Sequence, residues 1–326
     1  MTLRSVNLPG TDLHASVLGF GCASLGSRIG RRAGLRALHD AFVNGVTWYD
    51  VAPPYGAGEA ETILGEFLRG RRDRVFVCTK AGLLGPAHGN LVKLVYALAR
   101  PVVGQAKKLR RGFRSVAATR YRKDPLDRAT IVASVERSLR RLGTCHVDVF
   151  ALHDPLPEDV VNDDVLRGLE DIVTSGKARY LSVAGTLAPC LAGFEAGRPY
   201  SIAQIADDPL TGALAELRAR AIRPPASITH SVFGVDGMHE RLVRMIDEEA
   251  GIRKDLEIAG YAGAPSRMAA DLLLDRAFAS NPNGVVLTSM FGAQHRQANI
   301  ARAALPVNPS AVGILTSVLE KAKKTV

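Results

Sequence analysis

The hydrophobic pattern of the chain alternates between two kinds of segment. Short runs of β-branched and apolar residues are followed by stretches whose apolar residues recur at helical spacing, as in Leu35, Leu38, Ala41 and Phe42. Strands that alternate with helices in this way pair in parallel through helical crossovers. The predicted strands are Ser16–Cys22, Thr47–Val51, Arg74–Lys80, Val147–His153, Arg179–Ala184, Ser201–Ala206, Ala226–Ser231 and Val285–Ser289.

Eight such units predict an α/β fold, the (β/α)8 or TIM barrel, in which a closed cylinder of strands lies inside a ring of helices. The length of 326 residues suits one such domain spanning residues 1–326. Ahead of the first barrel strand, Leu3–Leu8 and Leu13–Leu18 flank a turn at Pro9-Gly10. This arrangement predicts an N-terminal β-hairpin that plugs the bottom of the barrel.

A long basic segment, residues 81–127, follows the third predicted strand and far exceeds the usual loop of about two to six residues. Residues 81–123 hold ten Lys or Arg and no Asp or Glu, so removing these ten from the 42 basic residues leaves 32, equal to the 32 acidic ones. Such local basicity argues against a nucleic-acid-binding surface. We consider three interpretations: a solvated loop, a lid that attracts an anionic substrate or cofactor phosphate, and membrane-surface contact through residues 88–120.

The composition, with 47% hydrophobic and 23% charged residues, is that of a globular protein with a large core. The N-terminus lacks the charged-then-apolar order of a signal peptide and no apolar run is long enough to span a membrane, so we expect a cytoplasmic protein. The wide spacing of the four cysteines favours neither disulfides nor a zinc site, and predicts four buried apolar side chains: Cys22, Cys78, Cys145 and Cys190. The histidine spacing suggests no metal site.

Four polar side chains are predicted to meet at one end of the barrel. Asp50, Lys80 and His153 lie at strand ends, and Tyr55 lies in the loop after a strand. The carboxyl ends of barrel strands form the face on which barrel enzymes place their active sites. Each residue alone has an ordinary structural explanation, as a turn cap, a solvated strand end, a loop aromatic or a satisfied core histidine. Their convergence favours a catalytic site.

The local sequences around these residues resemble the aldo-keto reductase superfamily. The matching segments are Trp48–Gly56, which carries D-x-A-x-x-Y-G, Val75–Lys80 and Asp148–His153. The resemblance implies an NAD(P)-dependent oxidoreductase in which Tyr55 transfers a proton. A phenol with a pKa of about 10 needs a neighbouring cation to act near neutral pH. By the same resemblance Lys80 supplies that charge, Asp50 holds Lys80, and His153 binds the substrate oxygen.

The cofactor contacts implied by the resemblance match in part. At the end of the fifth strand, Ala184-Gly185 replaces the Ser-Asn pair typical of the superfamily, and an aromatic position is taken by His230. Positions that usually carry Lys or Arg for a 2′-phosphate hold other residues, so NADP and NAD both remain candidates, with Arg296 nearby as a substitute ligand. The candidate cofactor-binding residues are Gly21, Gln204, His230, Ser231, Ser289, Gly292, His295 and Asn299.

The long third loop and the His153-Asp154-Pro155 ending look most like the aldose 1-dehydrogenase and pyridoxal dehydrogenase branch. This likeness implies a small substrate, a sugar, an aldehyde or a ketone, with hydride transfer in either direction, and a monomer or weak dimer. The departures in the cofactor site keep a second hypothesis open, a catalytically weak or inactive barrel that serves as a binding or regulatory protein. A barrel with other chemistry on a phosphate ester is a third hypothesis, since fold alone does not determine reaction.

Overall fold

The computed structural model describes residues 2–85, 122–234 and 237–324. Eight parallel strands close into a barrel in the order β3, β4, β5, β8, β9, β10, β11 and β12, with β12 pairing back onto β3. Each of the eight predicted strands overlaps an observed one, which confirms the (β/α)8 fold. The strands are β1 Ser5–Asn7, β2 His14–Ser16, β3 Leu18–Gly21, β4 Trp48–Asp50, β5 Phe76–Ala81, β6 Leu83–Leu84, β7 Arg122–Lys123, β8 Val147–His153, β9 Ala178–Gly185, β10 Ile202–Ala206, β11 Ala226–His230 and β12 Val285–Thr288.

The helices surround the barrel, and two of those described begin at side chains that cap their free backbone amides. The Asp127 carboxylate accepts from Thr130 N, and the Asn162 side chain accepts from Asp164 N and Val165 N. In the described ranges the helices are α1 Arg31–Val43, α2 Glu59–Leu68, α3 Arg128–Leu142, α4 Asp163–Thr174, α5 Leu187–Glu195, α6 Ala213–Arg220, α7 Met238–Glu248, α8 Ala250–Ile258, α9 Pro265–Ser280, α10 Ala293–Ala303 and α11 Ala311–Lys324. Short 3-10 turns cover Tyr55–Gly58, Arg72–Arg74 and Asp159–Val161.

The predicted N-terminal hairpin is present and fills one end of the barrel. Strands β1 and β2 pair antiparallel, with Val6 opposite Ala15. Leu8 and Leu13, on either side of the turn, are buried and belong to the same apolar cluster as Trp48 in the barrel interior. Because this plug lies at the amino ends of the strands, the opposite end is the one left for a ligand.

Side chains alternate between the barrel interior and the helix-facing side along each strand. Trp48, Cys78 and Ala151 belong to the interior cluster, whereas the intervening residue Tyr49 packs in the outer core under the helices. The next inward positions, two residues further along the same three strands, are Asp50, Lys80 and His153. The period-two pattern of the strands therefore directs all three polar side chains into the carboxyl-end mouth.

The two ends of the long basic segment lie side by side. Strand β6 leaves the barrel just after β5 and pairs antiparallel with β7, Leu83 opposite Lys123 and Leu84 opposite Arg122. Residues 86–121 lie outside the described residues, so the lid, loop and lipid-contact interpretations of 88–120 remain predictions. The described ranges contain no helix that is long and apolar enough to cross a membrane.

The prediction for the cysteines is correct at three positions and wrong at one. Cys22, Cys78 and Cys190 are buried, but Cys145 is exposed. Cys145 follows the end of α3 in the turn that leads into β8, where the chain crosses the surface between two elements. Spacing alone could not separate this turn residue from the core positions.

Candidate active site

A buried ion pair lies at the centre of the barrel mouth. Lys80 Nζ donates to Asp50 Oδ1 at 2.6 Å and to the Val51 carbonyl oxygen at 3.2 Å. The Lys80 side chain is 1% exposed and that of Asp50 is 5% exposed. Burial is the largest single effect and opposes the charge of Lys80, but the attraction of the Asp50 carboxylate together with smaller contributions from Cys78 and Tyr55 raises the pKa of Lys80 above its ordinary value. A fixed ammonium is therefore held at the mouth at neutral pH.

Tyr55 lies beside this ammonium and beside His153. The Lys80 nitrogen is 5.9 Å from the centre of the Tyr55 ring. The Tyr55 and His153 rings are perpendicular, with 5.9 Å between their centroids. The Tyr55 phenol is half-buried, so it lies between the buried Lys80 and Asp50 pair and the open mouth of the barrel.

The turn that carries Tyr55 depends on Gly56. Gly56 has φ +58°, and a Cβ added there would lie 2.4 Å from the Leu25 carbonyl oxygen and 2.8 Å from Gly26 Cα. A side chain at this position would force the turn away from the loop after β3. Backbone packing therefore fixes the direction in which Tyr55 leaves the turn.

His153 is held neutral. Its Nδ1 is enclosed, and no hydrogen-bond partner for this atom occurs among the described residues. Burial, together with the positive charge of Lys80 and the neighbouring His230, lowers the pKa of His153 to about 3. A neutral imidazole carries one N–H and one free lone pair, so at physiological pH His153 can donate one hydrogen bond to a substrate oxygen.

The depressed pKa of His153 predicts an acid-dependent loss of stability. As pH falls below 6.5, His153 becomes protonated in the unfolded chain, but in the folded protein it becomes protonated only at about pH 3. The unfolding free energy should therefore fall over this window by at most about 1.4 kcal/mol per pH unit. The unfolding free energy can be measured by urea unfolding at several pH values across this window. Plotted against pH, it should have a shallower slope for His153→Asn than for the wild type, whereas His39→Asn, the same change at an exposed histidine, should leave this slope unaltered. Equal slopes for all three proteins would contradict a neutral, enclosed His153.

Three candidate cofactor residues lie on or just after β10 and β11 at the same mouth. Gln204 on β10 is 5% exposed, and its Oε1 lies 3.9 Å from Cys78 Sγ. His230 ends β11, and its Nδ1 is 3.0 Å from the hydroxyl oxygen of Ser231. Ser231 has φ +61°, a left-handed conformation that is uncommon outside glycine. In the strand order of the barrel, β10 and β11 lie across from β4 and β5. Gln204 and His230 therefore lie across the barrel from the Asp50 and Lys80 pair.

The other candidate cofactor residues follow β12, next to Gly21. Ser289, Gly292 and His295 are exposed around the first turn of α10. Asn299 is buried and its Nδ2 donates to Thr288 Oγ1 at 3.4 Å. A Cβ at Gly21 would meet the Thr288 carbonyl oxygen at an ordinary 3.6 Å. The structure thus gathers these residues on one side of the mouth, with the free amides of a helix N-terminus among them.

Arg296 does not offer a free guanidinium for a phosphate. It is 7% exposed, pairs with Asp40 at 2.6 Å, and donates to the carbonyl oxygens of Met290 and Phe291. The expectation that Arg296 substitutes for the missing phosphate ligands is therefore not supported by its contacts. Its observed contacts tie the loop before α10 to α1.

A family model described as "Aldo/keto reductase family" matches residues 17–192. This segment is more than half of the chain and contains the whole group at the mouth, from Asp50 to His153. The chain belongs to the aldo/keto reductase family. The family match leaves the candidate residues after β9 outside its bounds.

Three named relatives match about half of this family member. "Uncharacterized oxidoreductase YqkF" of Bacillus subtilis is 27% identical over 56% of the chain and 49% of its own length. "Aryl-alcohol dehydrogenase [NADP(+)]" of Phanerodontia chrysosporium is 30% identical over 55% of the chain and 43% of its own length. "6-dehydroglucose reductase" of Agrobacterium fabrum is 28% identical over 45% of the chain and 41% of its own length. The chain spans about half the length of the first of these relatives and less of the others.

Solved structures match nearly the full length at low identity. The glycerol dehydrogenase AKR11B4 from Gluconobacter oxydans superposes with a TM-score of 0.71 at 17% identity, covering 98% of this chain and 96% of that one. An aldo-keto reductase from Klebsiella pneumoniae in complex with NADPH gives a TM-score of 0.68 at 18% identity, covering 98% and 95%. At this identity the likeness shows that the barrel fold extends beyond the family match.

Sequence reasoning assigned no role at the mouth to two groups. The Val51 carbonyl oxygen is the second acceptor of Lys80, and a backbone atom has no signature in the residue pattern. Asp154 has φ +49°, so the chain turns sharply just after His153, and its amide donates to the Ala184 carbonyl oxygen at 2.7 Å. Aspartate tolerates this conformation better than most residues, which is the one signal that its identity offered.

Proposed function

We propose that this family member is an NAD(P)-dependent oxidoreductase that transfers a hydride between nicotinamide and a carbonyl or hydroxyl carbon. The observation that carries the proposal is the buried Lys80 and Asp50 pair beside Tyr55, with a neutral His153 also next to the phenol. A cation beside a phenol favours the phenolate and so lets it exchange a proton near neutral pH. This arrangement suits proton transfer to or from a substrate oxygen.

Each of the four side chains at the mouth has a separate role at the substrate oxygen. The bound nicotinamide cofactor supplies the hydride chemistry. Tyr55 donates the proton to the oxygen in reduction and removes it in oxidation, while Lys80 stabilises the phenolate by its charge. Asp50 holds the ammonium in place, and the N–H of neutral His153 orients the substrate oxygen toward Tyr55. Because the proton transfer at Tyr55 is reversible, the site serves either direction.

The side of the mouth formed by β10, β11 and α10 suits the cofactor. Gln204 and His230 face the interior, where a nicotinamide would lie beside the substrate. The first turn of α10, with Gly292 and His295 exposed, offers backbone amides to a phosphate. Arg296 is paired with Asp40, so its charge does not select NADP over NAD, and both cofactors belong in the test.

The proposed substrate is a small sugar-like molecule or an aldehyde. The activities named for two relatives, an aryl-alcohol dehydrogenase and a 6-dehydroglucose reductase, support a carbonyl or alcohol carbon on a small molecule. The Asp154 carboxylate at the rim adds a hydrogen-bond acceptor for substrate hydroxyl groups, in keeping with the aldose 1-dehydrogenase and pyridoxal dehydrogenase branch. We further propose a single-domain cytoplasmic protein that is a monomer or weak dimer.

Cofactor binding followed by turnover tests this function. We expect NADH or NADPH to raise the thermal midpoint of the protein, because a ligand that binds only the folded state stabilises it. With the preferred cofactor, aldoses, aromatic aldehydes and pyridoxal should be screened in both directions by the absorbance of the reduced nicotinamide. Absence of binding by either cofactor would overturn the proposal. Binding without turnover on any of these substrates would favour the binding or regulatory hypothesis.

A further inference from the structure

A second buried carboxylate lies behind the catalytic group, on the side away from the mouth. Glu61, six residues after Tyr55 on helix α2, is fully buried. Its Oε1 accepts from the Thr79 hydroxyl at 2.7 Å, and its Oε2 accepts from Arg141 Nη1 at 3.0 Å. Thr79 is itself fully buried and directly precedes Lys80 on β5. The carboxylate thus joins the helix that follows the Tyr55 turn to the strand that carries Lys80.

Arg141 connects the same carboxylate to the Tyr55 turn. Gly58 ends that turn, and a Cβ added there would lie 3.4 to 3.6 Å from the three terminal atoms of the Arg141 guanidinium. The guanidinium therefore rests against the backbone of the turn while it binds Glu61. The Arg141 side chain is 38% exposed, so the cation reaches the buried carboxylate from the surface of α3.

Stability alone is a weak explanation for this network. Taking a carboxylate out of water costs several kcal/mol, and buried ion pairs can often be replaced by apolar side chains of similar volume without loss of stability. What an apolar replacement cannot supply is a directional link among three elements. Here one hydrogen bond comes from the neighbour of Lys80, and the Arg141 guanidinium that donates the other packs against the turn of Tyr55.

We propose that Glu61, bound by Thr79 and Arg141, is a positioning residue that sets the Tyr55 phenol against the Lys80 ammonium. Side chains alternate along β5, so Thr79 points outward to Glu61 and Lys80 points inward to the mouth. A shift of the strand at Thr79 moves Lys80 as well. Misplacing a catalytic group by about 1 Å can lower the rate by about 100-fold. The catalytic consequence rests on the proposed function, but the geometry does not.

The decisive variant is Arg141→Met, which leaves Glu61 buried without this cation. A carboxylate in that setting takes up a proton at higher pH than usual, because burial disfavours its charge. We expect kcat to fall by about 10- to 100-fold as pH rises through this new ionisation, with KM changed less than about threefold. The double variant Glu61→Gln with Arg141→Met should lack the new pH step. The matched control is Arg140→Met, the same change at the exposed neighbouring arginine, which should behave like the wild type.

A readout without turnover separates this inference from the proposed function. The ionisation of Tyr55 can be followed as the ultraviolet tyrosinate signal of each protein minus that of its own Tyr55→Phe counterpart. In Arg141→Met the signal should move to higher pH than in the wild type, because the ammonium is no longer held beside the phenol. An unshifted Tyr55 signal would overturn the positioning role, whatever the rates show. A shifted signal in a protein that turns over no substrate would support the positioning role and count only against the proposed function.

A milder variant covers the case in which Arg141→Met does not fold, as judged by near-ultraviolet circular dichroism. Thr79→Val keeps the shape of the buried side chain and removes only the hydroxyl that binds Glu61. It should shift the Tyr55 signal in the same direction by a smaller amount, and Arg141→Lys, which restores a cation, should shift it less than Arg141→Met. A wild-type signal in folded Thr79→Val would also overturn the role assigned to Glu61.

Discussion

Replacing Tyr55 with phenylalanine is expected to lower kcat by about 10²- to 10⁴-fold, the usual contribution of a positioned proton donor. Only the hydroxyl is removed, so the aromatic ring at position 55 keeps its contacts with the His153 ring and the Lys80 ammonium. Cofactor affinity should therefore change by less than about twofold, given that the phenol acts in the reaction and not in uniform binding. Rates under saturating cofactor and nicotinamide fluorescence titrations would measure the two effects separately.

Tyr180→Phe provides the matched control for this change. Tyr180 lies on β9 toward the plugged end of the barrel, and its hydroxyl donates to Asp12 at 2.9 Å. Removing that hydroxyl deletes the same atom from the same residue type, away from the mouth, so the rate should stay close to that of the wild type. If Tyr55→Phe also keeps its rate within about threefold, the proton is transferred by another group and the assigned mechanism is wrong.

Replacing Lys80 with methionine should damage stability and turnover together. The change leaves Asp50 buried without its cation, and removal of one partner from a buried pair costs about 3–5 kcal/mol. Denaturant unfolding at neutral pH should show this loss in full. Because the pKa of Lys80 is raised in the folded state, the contribution of the pair is complete at neutral pH and is lost only as pH rises through that raised value.

A double variant separates the two effects of Lys80. Asp50→Asn combined with Lys80→Met removes both charges, so most of the lost stability should return, whereas turnover should not. Recovery of turnover in the double variant would mean that the ammonium acts only as a counter-ion for Asp50 and does not tune Tyr55. If the double variant loses as much stability as Lys80→Met, the loss in Lys80→Met does not come from the unpaired Asp50 carboxylate.

The barrel and the positions of its polar mouth followed from local pattern. Period-two alternation on short strands determines which residues face inward, and parallel pairing determines which strand ends meet. Asp50, Lys80 and His153 satisfy both conditions, so their convergence could be predicted before any contact was known. The hairpin plug was predictable for the same reason, since Pro9-Gly10 and its flanking leucines act within a few residues of one another.

Arg296 and Glu61 show where this reasoning ended. Arg296 was considered as a substitute for the missing phosphate ligands because it lies near their positions in the sequence, but its partner Asp40 lies 256 residues away in the chain. Glu61 received no role from the sequence, because its partners Thr79 and Arg141 come from two other elements. Pairings at such separations depend on how helices pack on the barrel, which residue spacing does not encode.

By itself, the sequence determined the eight-stranded barrel, its plugged end and the four side chains gathered at its open end, because these depend on periodicity and strand order. Only the tertiary structure decided that His153 is held neutral and that Arg296 pairs with Asp40. Charge state depends on burial and on the nearest opposite charge, and both are set by atoms that are distant in the chain.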